Sequence, residues 1–85
     1  MSTREKRLEK ARRNPKNVTP DELVALLESY GFYWHTGKSS HNTYRYSQDG
    51  LTLDVGFVHN KPHVKPIYVK DAVEKIDLVR EYTGE

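Results

Sequence analysis

The chain of 85 residues contains no cysteine, one methionine and one tryptophan. Without thiols there is neither a disulfide framework nor a thiolate metal ligand, so a packed core must supply the stability; a reducing compartment is compatible with this. No apolar stretch approaches the ~20 residues that a membrane helix needs. The polar first residues also lack the apolar segment of a signal peptide, so the expected setting is the cytoplasm, with no membrane partner. Repeats and low-complexity tracts are absent as well. A chain this short buries only roughly 60 % of its unfolded surface, so one thin-cored domain is expected and a long, deep substrate cavity is excluded.

Charge is present in both signs but unevenly placed. Residues 1–17 carry Arg4, Lys6, Arg7, Lys10, Arg12, Arg13 and Lys16 against Glu5 and Glu9. That segment has a net charge of +5, and because the whole chain is +2, residues 18–85 are left with −3. A basic arm on a slightly acidic body suits a polyanion such as RNA, or simply a solvated helical tail. The division expected from composition is therefore a basic helical extension over 1–17 and a domain over 18–85. Arg4, Arg7, Arg12 and Arg13 are the arm's candidate auxiliary RNA contacts, binding phosphate without reading sequence.

The hydrophobic period places the elements. Residues 2–13 are helix formers in which only Leu8 and Ala11 are apolar, and Asn14-Pro15 ends the run. Thr19-Pro20 followed by Glu22 reads as a capping box, and Leu23, Leu26, Leu27 and Tyr30 form one stripe closed by Gly31. From Phe32 the period becomes two: 32–36, 41–47 and 51–58 read as strands, with Asp49-Gly50 as a hairpin turn. A proline-broken loop over 59–66 leads to a last helix with Val69, Ala72, Val73, Ile76 and Val79 on one side. The expected fold class is α+β, a two-layer sandwich of α-β-β-β-α order with a three-stranded antiparallel sheet, plus the N-terminal basic helix.

Strand parity selects a site. Tyr44 and Tyr46 should face the helices, which turns His41, Thr43 and Arg45 to the open face. His41 then stands beside Lys38, Ser39 and Ser40 in "GKSSH". An imidazole, a cation and a hydroxyl-rich bend are what phosphodiester chemistry requires, although open strand faces are polar in any case. Nucleotide hydrolysis is excluded, since "GKSS" lacks the earlier glycine of a P-loop and leads into a strand. Ser40 and His41 point to opposite faces and make no nucleophile pair. His59 and His63, four apart in a loop, lack further ligands, so no metal and no cofactor are expected.

"TPDELVALLESYGFYWHTGKSSHNTYRY" together with "KPIYVKDAVEKID" resembles the HicA (YcfA-like) toxins of bacterial toxin–antitoxin systems, over residues 19 to about 80. The basic leader lies outside the minimal family domain. The family motif is Lys-Gly-Ser-His at the start of the second strand, with an aromatic three residues on. Lys38, Ser40, His41 and Tyr44 match it, and Ser39 stands where the family has glycine. The resemblance implies a double-stranded-RNA-binding-domain-like fold and ribosome-independent endoribonuclease cleavage of messenger RNA. It also implies a HicB-like antitoxin as protein partner and the motif histidine, here His41, as the catalytic residue.

RNA carries its own nucleophile, the 2′-hydroxyl, so proton transfer and charge stabilisation are all that a protein must add. An imidazole, titrating ordinarily near pH ~6.5, suits the first. Lys38 and the amides around Ser39 and Ser40 suit the second, and Arg45 is a candidate fork for a neighbouring phosphate. Two alternatives share the sequence: a non-catalytic RNA-binding domain of the same fold, and an interaction domain docking through Tyr33, Trp34 and Tyr68.

Overall fold

Capping chemistry sets the first two helices. A computed structural model describes residues 2–85. α1 (Thr3–Arg13) starts at a capping box made by Ser2 and Glu5. α2 (Pro20–Ser29) starts at a second one: Glu22 donates its amide to Thr19 Oγ1 at 3.2 Å and accepts the Thr19 amide at 3.1 Å. Lys10, then the Thr19 amide, hold the Glu22 carboxyl below its usual range. Gly31, at φ 92°, follows α2 and lets Phe32 turn back, its amide bonding Leu27 O at 3.0 Å.

Three antiparallel strands follow in the order β1-β2-β3: β1 (Tyr33–Lys38), β2 (His41–Gln48) and β3 (Leu51–Val58). β2 is central and its alternation decides what faces the core. Tyr44 and Tyr46 are 7 % and 5 % exposed and share their face with Val55 and Phe57. The Tyr44 ring lies 5.9 Å from that of Phe57, and burial pushes its hydroxyl above the usual phenol range. His41, at the start of β2, is exposed, as its parity predicts. α3 (Pro66–Thr83) closes the layer through Val69, Ala72, Val73, Ile76 and Val79, all buried. The α-β-β-β-α order of a two-layer α+β fold is thus present, preceded by one more helix. No helix among the described residues is long and apolar enough to cross a membrane.

Two features differ from the periodic reading. The bend expected over 37–40 is only the pair Ser39-Ser40, because β1 runs on through Gly37 and Lys38 and pairs Lys38 with His41. β1 accommodates this with a bulge at His35.

The basic helix, moreover, is no solvated arm. Leu8 and Ala11 are 1 % and 3 % exposed and join the same core cluster as Leu23 and Ile76. Removing a buried leucine side chain costs about 2–5 kcal/mol, so α1 belongs to the folding unit of residues 18–85. Three of its six cations pair with the body of the molecule too. Arg4 pairs with Glu85 and lies 4.7 Å over the Tyr30 ring. Lys10 pairs with Glu22, and Arg12 grips both Asp77 oxygens at 2.8 and 2.9 Å. Arg12 in turn holds the Asp77 carboxyl below its usual range. The +5 segment therefore finds much of its counter-charge on the body of the same molecule.

Candidate functional site

The β2–β3 hairpin determines what stands beside His41. Asp49 and Gly50, both at positive φ (47° and 90°), make a two-residue turn that pairs Gln48 with Leu51. The ladder then runs without a break to His41 opposite Val58. The loop leaving β3 therefore emerges next to the start of β2, and two hydrogen bonds hold it there. The His59 amide donates to Ser40 O at 2.8 Å, and the Val64 amide donates to Val18 O at 2.8 Å.

The result is a cleft of about 160 Å³ at the end of the sheet, lined by His41, Val58, Lys61, His63, Lys65 and Tyr68. Two imidazoles and two ammonium groups line it, and no carboxylate does. The start of α3 adds to this. Lys65 occupies its N-cap without a side-chain cap bond, and no acidic residue lies in its first turn. α1 and α2, by contrast, begin with acidic residues and capping boxes. A helix start carries partial positive charge, so α3 presents it to the cleft uncompensated by any side chain of its own first turn. Such a combination favours a bound anion.

Lys38 and His41 are direct cross-strand partners, so their side chains leave the sheet on the same face. Between them, Ser39 takes φ 59°, a conformation an L-residue reaches at a cost of roughly 1–2 kcal/mol. The serine thus preserves the backbone geometry for which glycine would be the unstrained choice. Gly37 is required for a different reason. A Cβ there would lie 2.9 Å from His41 O and 2.2 Å from Asn42 Oδ1, which already accepts the Trp34 indole N–H at 2.8 Å. The backbone carrying His41 is therefore clasped closely by β1.

Several expected contributors stand elsewhere. Arg45, read as a phosphate fork, is committed to its cross-strand partner Asp54, with Nε at 2.7 Å and Nη2 at 3.0 Å. It also lies four residues along β2 from His41, about 13 Å at ~3.3 Å per residue. Among the leader arginines, Arg4 and Arg12 are engaged as described, whereas Arg7 and Arg13 remain exposed, Arg13 with only a 4.0 Å approach to Glu9. His59 and His63 part company. The His59 ring stacks 4.6 Å from Phe57, with Nε2 buried and unpartnered, while His63 opens to the cleft. The patch of Tyr33, Trp34 and Tyr68 is divided as well, the first two on β1 and Tyr68 in the cleft wall.

Lys61, His63 and Lys65 are the site residues that strand parity could not find. A signal was nonetheless available: a regular ladder closed by Asp49-Gly50 brings residue 58 opposite residue 41, and hence its following loop beside His41. Compared with protein-family models, curated proteins and solved structures, the chain matches none.

Proposed function

We propose that this protein is a HicA-like endoribonuclease, the toxin of a type II toxin–antitoxin pair, which cleaves messenger RNA in the cytoplasm by histidine-mediated acid–base catalysis. The observation that carries the reading is the exposed His41 at the rim of a cleft lined by Lys61 and Lys65 and free of carboxylates. Anionic backbone can enter such a cleft without repulsion, and the imidazole meets it at the mouth.

In this reading the RNA 2′-hydroxyl attacks the adjacent phosphorus, and His41 moves a proton on or off the reacting oxygens. Lys61 and Lys65 in the cleft wall, with Lys38 across the ladder from His41, stabilise the charge that accumulates on the non-bridging oxygens. Ser39 and Ser40 shape the turn that sets Lys38 against His41. Tyr44 contributes from behind, since its buried ring anchors β2 so that His41 faces solvent. A HicB-like antitoxin covering the cleft is the protein partner that belongs to this function.

The test is incubation of purified protein with an end-labelled transcript in EDTA. Wild type should cut it, and His41→Ala should not while keeping the wild-type melting temperature. A variant cutting at the wild-type rate overturns the reading. A gel shift without cleavage by wild type overturns it in favour of an RNA-binding domain.

A further inference from the structure

Cleavage through the 2′-hydroxyl needs two proton transfers on opposite sides of phosphorus. One group takes the proton from O2′ as the O2′–P bond forms. Another gives a proton to O5′ as the P–O5′ bond breaks. The products are a 2′,3′-cyclic phosphate and a 5′-hydroxyl, and no other reactant is consumed. One imidazole cannot attend both oxygens at once, and His41 is the only such group on its strand.

We propose that His63 is the second proton-transfer residue, dividing acid and base roles with His41 across the cleft; this rests on the ribonuclease reading above. Both side chains line the same 160 Å³ cavity, yet they come from different elements, the start of β2 and the loop before α3. The charged and titratable groups facing His63 there are His41, Lys61, Lys65 and Tyr68. Of these side-chain types only imidazole ordinarily exchanges protons near neutrality, so the second transfer falls to His63. The other histidines are elsewhere: His59 is stacked among aromatics, and His35 sits in the β1 bulge.

His63 is also presented firmly for an exposed loop residue. Pro62 precedes it, and Val64, which follows, is buried and bonded to Val18 O. A side chain held between a proline and an anchored neighbour meets the positional demand that proton transfer makes. Its flanking residues at 61 and 65 are the two lysines of the cleft wall, so the same loop segment supplies a proton donor or acceptor and two phosphate cations.

The experiment measures single-turnover cleavage over a pH series for wild type, His41→Ala, His63→Ala and His63→Gln. A second substrate carries sulfur in place of the bridging 5′-oxygen. Each single variant should lose about 10²–10⁴-fold in kcat with KM little changed, and each should lose one limb of a bell-shaped wild-type profile. The thiolate leaves without protonation, so the sulfur substrate should restore the rate of one variant, identifying the acid, and not the other.

His63→Ala with wild-type kcat, a loss confined to KM, or rescue of neither variant overturns the proposal. Unaltered melting temperatures exclude misfolding, which the exposure of His63 already disfavours. Cleavage that needs His41 but not His63 defeats this inference alone. A wild-type protein that never cuts RNA defeats both it and the reading beneath it.

Discussion

The two ends of β2 are each closed by a two-residue turn, yet they are built on different terms. At the far end, Asp49-Gly50 supplies the residue types that tolerate positive φ, and nothing lies within 4 Å of a Cβ built at Gly50. At the near end, Ser39 is held at positive φ, Gly37 is tightly enclosed by its neighbours, and His41 and Lys38 face each other across the ladder. One turn serves the fold, its Asp49 carbonyl also accepting the Tyr82 hydroxyl of α3 at 3.1 Å. The other tolerates strain and crowding, and it adjoins the basic cleft. Both turns hold a non-glycine residue at positive φ, but aspartate tolerates it better than serine, so the greater local cost falls at the end beside the cleft.

The largest effect that could break this comparison concerns the terminal residues of β2. His41→Ala should reduce RNA cleavage by about 10²–10⁴-fold, whereas Gln48→Ala, its counterpart at the far end, should leave the rate unchanged. Equal losses in initial-rate assays would erase the functional distinction between the ends. Next in size is Gly37→Ala. Its Cβ meets the His41 carbonyl, so overpacking should cost about 1–3 kcal/mol in urea melts and slow cleavage by displacing the imidazole.

The turns themselves should respond with opposite signs. Gly50→Ala has open space but a forbidden φ and should destabilise by about 1 kcal/mol with no effect on cleavage. Ser39→Gly relieves the left-handed strain, less the greater freedom of glycine in the unfolded chain. It should stabilise by about 0.5–1 kcal/mol, roughly 2–8 °C in melting temperature. Destabilisation by Ser39→Gly would show that the serine is not strained.

The smallest effect lies between the turns, at the Arg45–Asp54 pair. Arg45 holds the Asp54 carboxyl below its ordinary range, first by hydrogen bonding. A depressed folded pKa contributes stability that is present above the unfolded value and lost as pH falls through the folded one. Arg45→Gln should therefore flatten the acid limb of the stability profile below about pH 4. The pair is screened by solvent, so the change should be small, and cleavage at neutral pH should not change. A large loss of cleavage would return Arg45 to the site.

Much of this was legible without coordinates. Thr19-Pro20-Asp21-Glu22 announces a capped helix, and the switch to period two at Phe32 marks the sheet. The parity of Tyr44 and Tyr46 already turns His41 outward, because the two rings offer the most apolar area to bury. Leu8 and Ala11 were visible as the only apolar residues of the leader, but their significance was not. Two buried side chains three residues apart suffice to seat a helix when ion pairs to Glu85, Glu22 and Asp77 hold its flanks, and those partners are far away in sequence.

By itself, then, the sequence determined the kinds of element, their order and the face each side chain of β2 takes, since these depend on neighbours within a few residues. Tertiary structure alone decided which cations are paired across the molecule, and that the side chains of Lys61, His63 and Lys65 share one cleft with that of His41. Those outcomes depend on separations in space, and distance along the chain does not encode them.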